Sequence, residues 1–162
     1  MISTRRAALA DEEALVELWW EMQSSQLQYE TRWYADIGEE GAKAFWRDHF
    51  TETLNDEKAV IVVAQSDDVL IGMIVARESN RPPIYTLSKA TMGIWSAVVK
   101  AEWRKQGVFR LMLADIEEVA RSRGIGVMKL SVHRENPAFE AYQKVGFKPE
   151  QTAMIKWLDN DH

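Results

Sequence analysis

Two runs of apolar, mostly β-branched residues, Ala59 to Ala64 and Val69 to Ala76, flank the short polar stretch Gln65-Ser66-Asp67-Asp68. Runs of this length and composition are buried strands, and the polar link between them predicts an antiparallel hairpin. The rest of the chain must cover that hairpin. Between Asp11 and Gln26, Leu15, Leu18, Trp19 and Met22 fall at i, i+3, i+4 and i+7, one face of an amphipathic helix with Asp11 as its N-cap. After Gly38, the positions Ala42, Phe45, Trp46, His49 and Phe50 repeat the spacing, and Glu39 and Glu40 complement the positive end of that helix dipole. By this spacing His49 is a packed residue on the core-facing stripe. The link from Gln23 to Ile37 has no period but holds Tyr29, Glu30, Trp33, Tyr34 and Asp36.

Arg81-Pro82-Pro83 interrupts the sheet, and Met92 to Val99 resumes it as a central strand whose Gly93 is expected to face a close backbone neighbour. Phe109, Met112, Leu113, Ile116, Val119 and Ala120 then keep helical spacing until Gly124-Ile125-Gly126, and Val127 to Val132 returns as strand. Asn136-Pro137 opens a short helix with Ala138, Ala141, Tyr142 and Val145 on its apolar stripe, and Gly146 closes it. A last strand is expected through Met154, Ile155, Trp157 and Leu158. With a first strand at Ile2 to Ala7, the order reads β-α-α-β-β-β-α-β-α-β. The fold class is therefore α/β with a mixed central sheet, and 162 residues without internal repeat or linker suit one domain, residues 1–162.

The chain has no cysteine, which removes disulfides, thiolate metal sites and cysteine nucleophiles together. Only three histidines are present, and no ligand spacing suggests a metal. A net charge of −5 argues against a broad nucleic-acid or anionic-membrane surface, so an anionic ligand needs a local basic site. Asp11-Glu12-Glu13 interrupts the basic start before any apolar signal region develops, and no segment is long and apolar enough to span a bilayer. A cytoplasmic address is expected.

One such basic site is visible. From Val98 to Arg110 a buried strand joins a helix through a short turn containing Arg104, Lys105, Gln106, Gly107 and Arg110. The first turn of a helix has N–H groups without intrahelical acceptors and a dipole that favours anions, so the amides from Lys105 through Val108 and Phe109 to Arg110 could cradle a phosphate. A solvated basic loop is the plainer reading of the same residues. A second stretch, Asn136 to Phe147, is by itself a helix start and a helix end with Tyr142 on the apolar face.

The order, spacing and placement of these two stretches resemble the GNAT N-acetyltransferase superfamily over essentially the whole chain. In that family the strand-to-helix turn reads Arg or Gln, two residues, Gly, one residue, Gly or Ala; Arg104, Gly107 and Phe109 occupy those places, with Phe109 bulkier than usual. The resemblance implies acetyl-CoA as cofactor. It implies a backbone bond from Val99 to the pantetheine arm with Val98 beside it, pyrophosphate on the amides of Lys105 to Arg110, Asn136 against the pantetheine arm, and Tyr142 near the sulfur. The chemistry is consistent with those roles. A strand-end amide such as that of Val99 can stabilise the oxyanion formed when an amine attacks a thioester, and a phenol with an ordinary pKa of about 10 can protonate the leaving thiolate.

A base for the acceptor amine is not evident, because the strand from Thr91 to Val99 carries no carboxylate or histidine. Glu78, Glu30 and His133 are candidates, as is a water relay through Ser96. The resemblance places the acceptor against the helix link and the loop before the fourth strand, which makes Tyr29, Glu30, Trp33 and Tyr85 candidate substrate contacts. Aromatic faces beside carboxylates suit a cationic small-molecule or peptide amine. Among seven tryptophans, Trp19 and Trp46 belong to helical stripes, Trp95 and Trp157 to strands, and Trp33 to the link. A homodimer through the C-terminal strand is compatible with the exposed aromatics. A CoA-binding sensor or assembly subunit without turnover remains open. A nucleotide-binding α/β protein has little support, since neither Gly-x-Gly-x-x-Gly nor a P-loop pattern follows a strand.

Overall fold

The computed structural model describes residues 1–29, 37–81, 84, 90–156 and 158. The elements in chain order are β1 (Ile2–Arg6), α1 (Glu12–Gln26), α2 (Gly38–Asn55), β2 (Ala59–Ser66), β3 (Val69–Asn80), β4 (Ala90–Val99), α3 (Val108–Ser122), β5 (Met128–Leu130) and α4 (Ala138–Lys144), with single 3-10 turns before α1 and α3. The five strands lie in the order β1-β2-β3-β4-β5, antiparallel throughout except for the parallel β4–β5 pair.

The hairpin forms as its pattern demands. Ser66 pairs with Val69, and Asp67 and Asp68 both take positive φ (48° and 67°), the two left-handed residues that a tight hairpin turn requires. Alternation along the strands divides their side chains between two layers. Val60, Val62, Ile71, Ile74 and Met92 meet Met112 and Ile116 of α3, whereas Ile61, Val63, Met73, Val75 and Val98 meet Leu15, Leu18 and Trp19 of α1 and Phe50 of α2. This is why the runs carry no polar alternation: both faces of the sheet are covered.

Several expectations require correction. Asp11 sits before α1 but does not cap it with its side chain; its carboxylate accepts hydrogen bonds from the Ala8 amide (2.8 Å) and from Arg5 Nη1 and Nη2 (2.7 and 2.8 Å), tying β1 to the start of the helix. The face buried by α2 is rotated from the predicted stripe. Lys43, Phe50 and Thr53 are its buried residues, while Phe45 is 64% exposed and His49 half-buried. Contacts with α1 turn the helix: Trp46 packs 4.5 Å from Trp19, Lys43 pairs with Glu17 (2.8 Å) and Arg47 pairs with Glu13 (2.7 Å). The close backbone approach falls at Gly72 rather than Gly93, since a Cβ on Gly72 would lie 2.9 Å from the Val98 carbonyl oxygen, whereas one on Gly93 would meet only ordinary contacts.

The expected C-terminal strand is absent from the described residues. Positions 149–156 are irregular, and Met154 is 94% exposed. Among the described residues the sheet ends at β5, and no later segment joins its ladder. Trp157 lies outside the described residues. No described helix is long and apolar enough to cross a membrane.

Candidate active site

The shortness of β5 creates the site. Its ladder with β4 is limited to Met92–Met128, Gly93–Lys129 and Ile94–Leu130, after which β4 runs on to Val99 with no strand on that side among the described residues. The parting coincides with a bulge: Ser96 pairs with Val75 and Ile94 with Ala76, leaving Trp95 as an extra residue in β4. Beyond the bulge, Lys100 donates its amide to the Ile71 carbonyl (2.9 Å), so strand alternation turns the backbone groups of Val98 toward β3 and those of Ala97 and Val99 toward the open side. A crevice lined by backbone donors results. Val98, expected from the sequence as a cofactor contact, spends its amide in the β3 ladder and its side chain in the core; Ala97, which no sequence motif marks, shares the open edge with Val99.

At the end of β4 the chain enters the basic junction. Lys105 (φ 62°) and Gly107 (φ 83°) are left-handed, and α3 starts at Val108 with no side-chain cap. The first backbone bond into α3 is that of the Leu111 amide to Gly107 (3.1 Å), so the amides of Val108, Phe109 and Arg110 precede any intrahelical acceptor. Nothing lies within 4 Å of a Cβ built on Gly107, so the approach to these amides is open. Lys105, Gln106 and Arg110 are exposed around it, with Gln106 Nε2 donating to the Glu102 carbonyl (2.9 Å). Arg104 points elsewhere: its Nε donates to the Val99 carbonyl (2.9 Å), and its Nη2 lies 3.7 Å from Glu21 of α1.

The second stretch faces this junction. Asn136 Oδ1 accepts from the Ala138 amide (2.9 Å) and caps α4, as its position before proline implies. Tyr142, near the C-terminal end of α4, has Phe109 edge-on at 5.5 Å and Phe147 edge-on at 6.0 Å. Burial among these rings raises the pKa of the phenol above its ordinary value, so it holds its proton throughout the neutral range. The oversized Phe109 is therefore one wall of the Tyr142 pocket.

Tyr29, in the turn after α1, stacks on His133 beyond β5, with ring centroids 5.6 Å apart and planes 20° apart. Glu30, Trp33 and Tyr85, with Tyr34, Asp36, Pro82 and Pro83, lie outside the described residues. Glu78 is 3.5 Å from Arg123 in an ion pair. The bulged Trp95 is half exposed and turns toward α2, where His49 stacks against it at 6.3 Å; the guanidinium of Arg77 covers its ring at 5.6 Å and bonds Asp56 (2.6 Å). Trp95 and His49 were read as strand and core residues because nothing local in the sequence marks the bulge that joins them.

The profile of the family described as Acetyltransferase (GNAT) family matches residues 13–147. No curated protein matches the chain by sequence. Among solved structures, a predicted acetyltransferase from Clostridium acetobutylicum, determined with acetyl-CoA, shares 20% identity over all of both chains with a TM-score of 0.77. A GCN5-related N-acetyltransferase from Ralstonia eutropha JMP134 shares 18% identity over 98% of this chain and 99% of that one, with a TM-score of 0.78. AAC(6')-Iy, solved with the bisubstrate analog CoA-S-monomethyl-acetylneamine, shares 16% over 98% and 99%, with a TM-score of 0.71.

Proposed function

We propose, on the premise that the chain belongs to the acetyltransferase (GNAT) family, whose cofactor is acetyl-CoA, that it moves the acetyl group from acetyl-CoA to a primary amine of a small molecule or peptide by direct attack. The observation that carries this reading is the parting of β4 from β5, which leaves the Ala97 and Val99 backbone facing a crevice with α3 and α4 on one face of the sheet and α1 and α2 on the other. The open amides of Val108, Phe109 and Arg110 behind the left-handed Gly107 fit a pyrophosphate, and the exposed Lys105 and Arg110 beside them supply local positive charge on a chain whose net charge is −5.

Acetyl-CoA supplies the activated thioester. The residues of this chain do the remaining work. The Val99 and Ala97 edge holds the pantetheine arm and donates to the carbonyl oxygen as negative charge develops there. To receive that arm, the Val99 carbonyl must exchange its bond from Arg104 Nε for one from the cofactor. Tyr142, kept protonated by burial, hands its proton to the departing sulfur. Lining up both reactants in one crevice contributes the entropic part of the acceleration.

Calorimetric binding of CoA followed by acetyl transfer across a panel of primary amines tests the reading. Binding with transfer supports it; binding without transfer to any amine favours a non-catalytic CoA sensor, to which the absence of a carboxylate or histidine on β4 lends some weight. The AAC(6')-Iy neighbour, seen with an acetylneamine analog, supports including aminoglycosides in the panel. A homodimer and a cytoplasmic location are further parts of this proposal, the first tested by sedimentation.

A further inference from the structure

The proposed transfer needs a group that removes a proton from the acceptor, and β4 has none. Among the described residues outside β4, Glu78, His133 and His49 come into question. Glu78 is engaged by Arg123 at 3.5 Å. His133 accepts the Glu135 amide at its Nδ1 (3.3 Å), which puts the proton of its neutral ring on Nε2 and leaves no lone pair to receive another. His49 differs from both.

The His49 ring is held by aromatic contacts alone: Trp46 meets it edge-on at 4.6 Å, Phe45 stacks at 6.4 Å with planes 7° apart, and Trp95 stacks at 6.3 Å with planes 21° apart. Neither of its nitrogens has a hydrogen-bond partner among the described residues, and neither is shut away from water. Its neutral ring therefore keeps a free lone pair within a fixed orientation. Trp95, the residue it stacks on, is the bulge at which the crevice opens, two residues and so about 7 Å along the strand from Ala97. Beyond the indole, Arg77 and Asp56 form an internally compensated ion pair (2.6 Å); on the helix of His49 itself, Asp48 and Glu52 stand near it in sequence.

Building on the acetyltransferase reading, we infer that His49 is the proton acceptor for the incoming amine and that Trp95 is the wall against which that amine is placed. The acceptor ammonium gives one proton to the imidazole, directly or through one water, and the freed lone pair forms the C–N bond. As the C–S bond breaks, sulfur takes the Tyr142 proton; the proton shed by the acylated nitrogen returns to the phenolate through solvent, and the imidazolium releases its own to solvent. Acid and base thus stand on opposite faces of the sheet, Tyr142 with α4 and His49 with α2.

The test uses the full chain and two acceptors, phenethylamine, which is protonated at neutral pH, and trifluoroethylamine, which is not. His49→Gln is expected to lower single-turnover transfer to phenethylamine about 100-fold, to leave transfer to trifluoroethylamine nearly unchanged, and to leave calorimetric acetyl-CoA affinity and thermal melting as in the wild type. Imidazole added to His49→Ala should restore part of the rate. Equal losses on both amines, or no loss on either, overturn the inference while the acetyltransferase reading stands. Absence of transfer by the wild type despite CoA binding overturns that reading, and this inference with it.

Discussion

The two sides of the crevice are built in different ways. The proposed cofactor side is assembled from two continuous stretches, Ala97 to Arg110 and Asn136 to Phe147, and would work mainly through backbone amides whose direction is set by local turns. The proposed acceptor side gathers Tyr29, His49, Arg77, Trp95 and His133 from five separate parts of the chain and would work through side chains. Backbone recognition tolerates side-chain change, as Phe109 illustrates by standing where the family has a small residue without removing an amide. Side-chain recognition does not, so the acceptor side is where a chain of this fold can change its substrate.

The sharpest test of the division is Tyr142→Phe. Removing the proposed proton donor should slow the chemical step by about 100-fold while CoA affinity stays constant, measured by single turnover and calorimetry; an unchanged rate would move the acid elsewhere. Gly107→Val comes next. A β-branched residue at φ 83° costs about 1–2 kcal/mol of backbone strain, which should weaken CoA binding about tenfold with little change in the rate at saturation. Phe109→Ala is smaller still and of the opposite kind. It removes one aromatic contact from Tyr142, of about 0.5–1.5 kcal/mol, and should lower the saturated rate several-fold with CoA affinity nearly intact, since the Phe109 amide remains.

The smallest effect concerns the α1 side. Arg5 holds the Asp11 carboxyl below its ordinary value through their hydrogen bonds. A carboxyl with a lowered folded pKa stabilises the fold above its unfolded value, about pH 4, and loses that contribution as pH falls through the folded value. Asp11→Asn should therefore narrow the difference in melting temperature between neutral and acid solution, by the equivalent of less than about 1 kcal/mol. CoA affinity at neutral pH should not move, because Asp11 belongs to the other face.

The unequal legibility of the two sides follows from the same contrast. Gly107, the basic residues around it and the Asn136-Pro137 helix start could be placed from neighbouring residues because turns and helix ends are local events. Phe109 was read as a departure from the usual pattern, yet its contact with Tyr142 crosses from α3 to α4 and has no local signature. His49 was read as core because helical spacing gives a stripe without its orientation; the contacts of Trp46 and Lys43 with α1 rotate the helix and bring that imidazole out beside Trp95. Ala97 was passed over because only the bonding of Lys100 to Ile71 reveals which amides of β4 face outward.

By itself the sequence determined the hairpin, the covered sheet, the helix boundaries near Gly107 and Gly146, and the resemblance that implies acetyl-CoA, all of which are encoded in periodicity and short-range backbone preference. The tertiary structure alone decided that β5 stops at Leu130, that Trp95 is squeezed out of the ladder, and that the last expected strand finds no partner among the described residues. Strand length and register depend on which residues a distant segment offers across the ladder, and the crevice exists because that offer runs out.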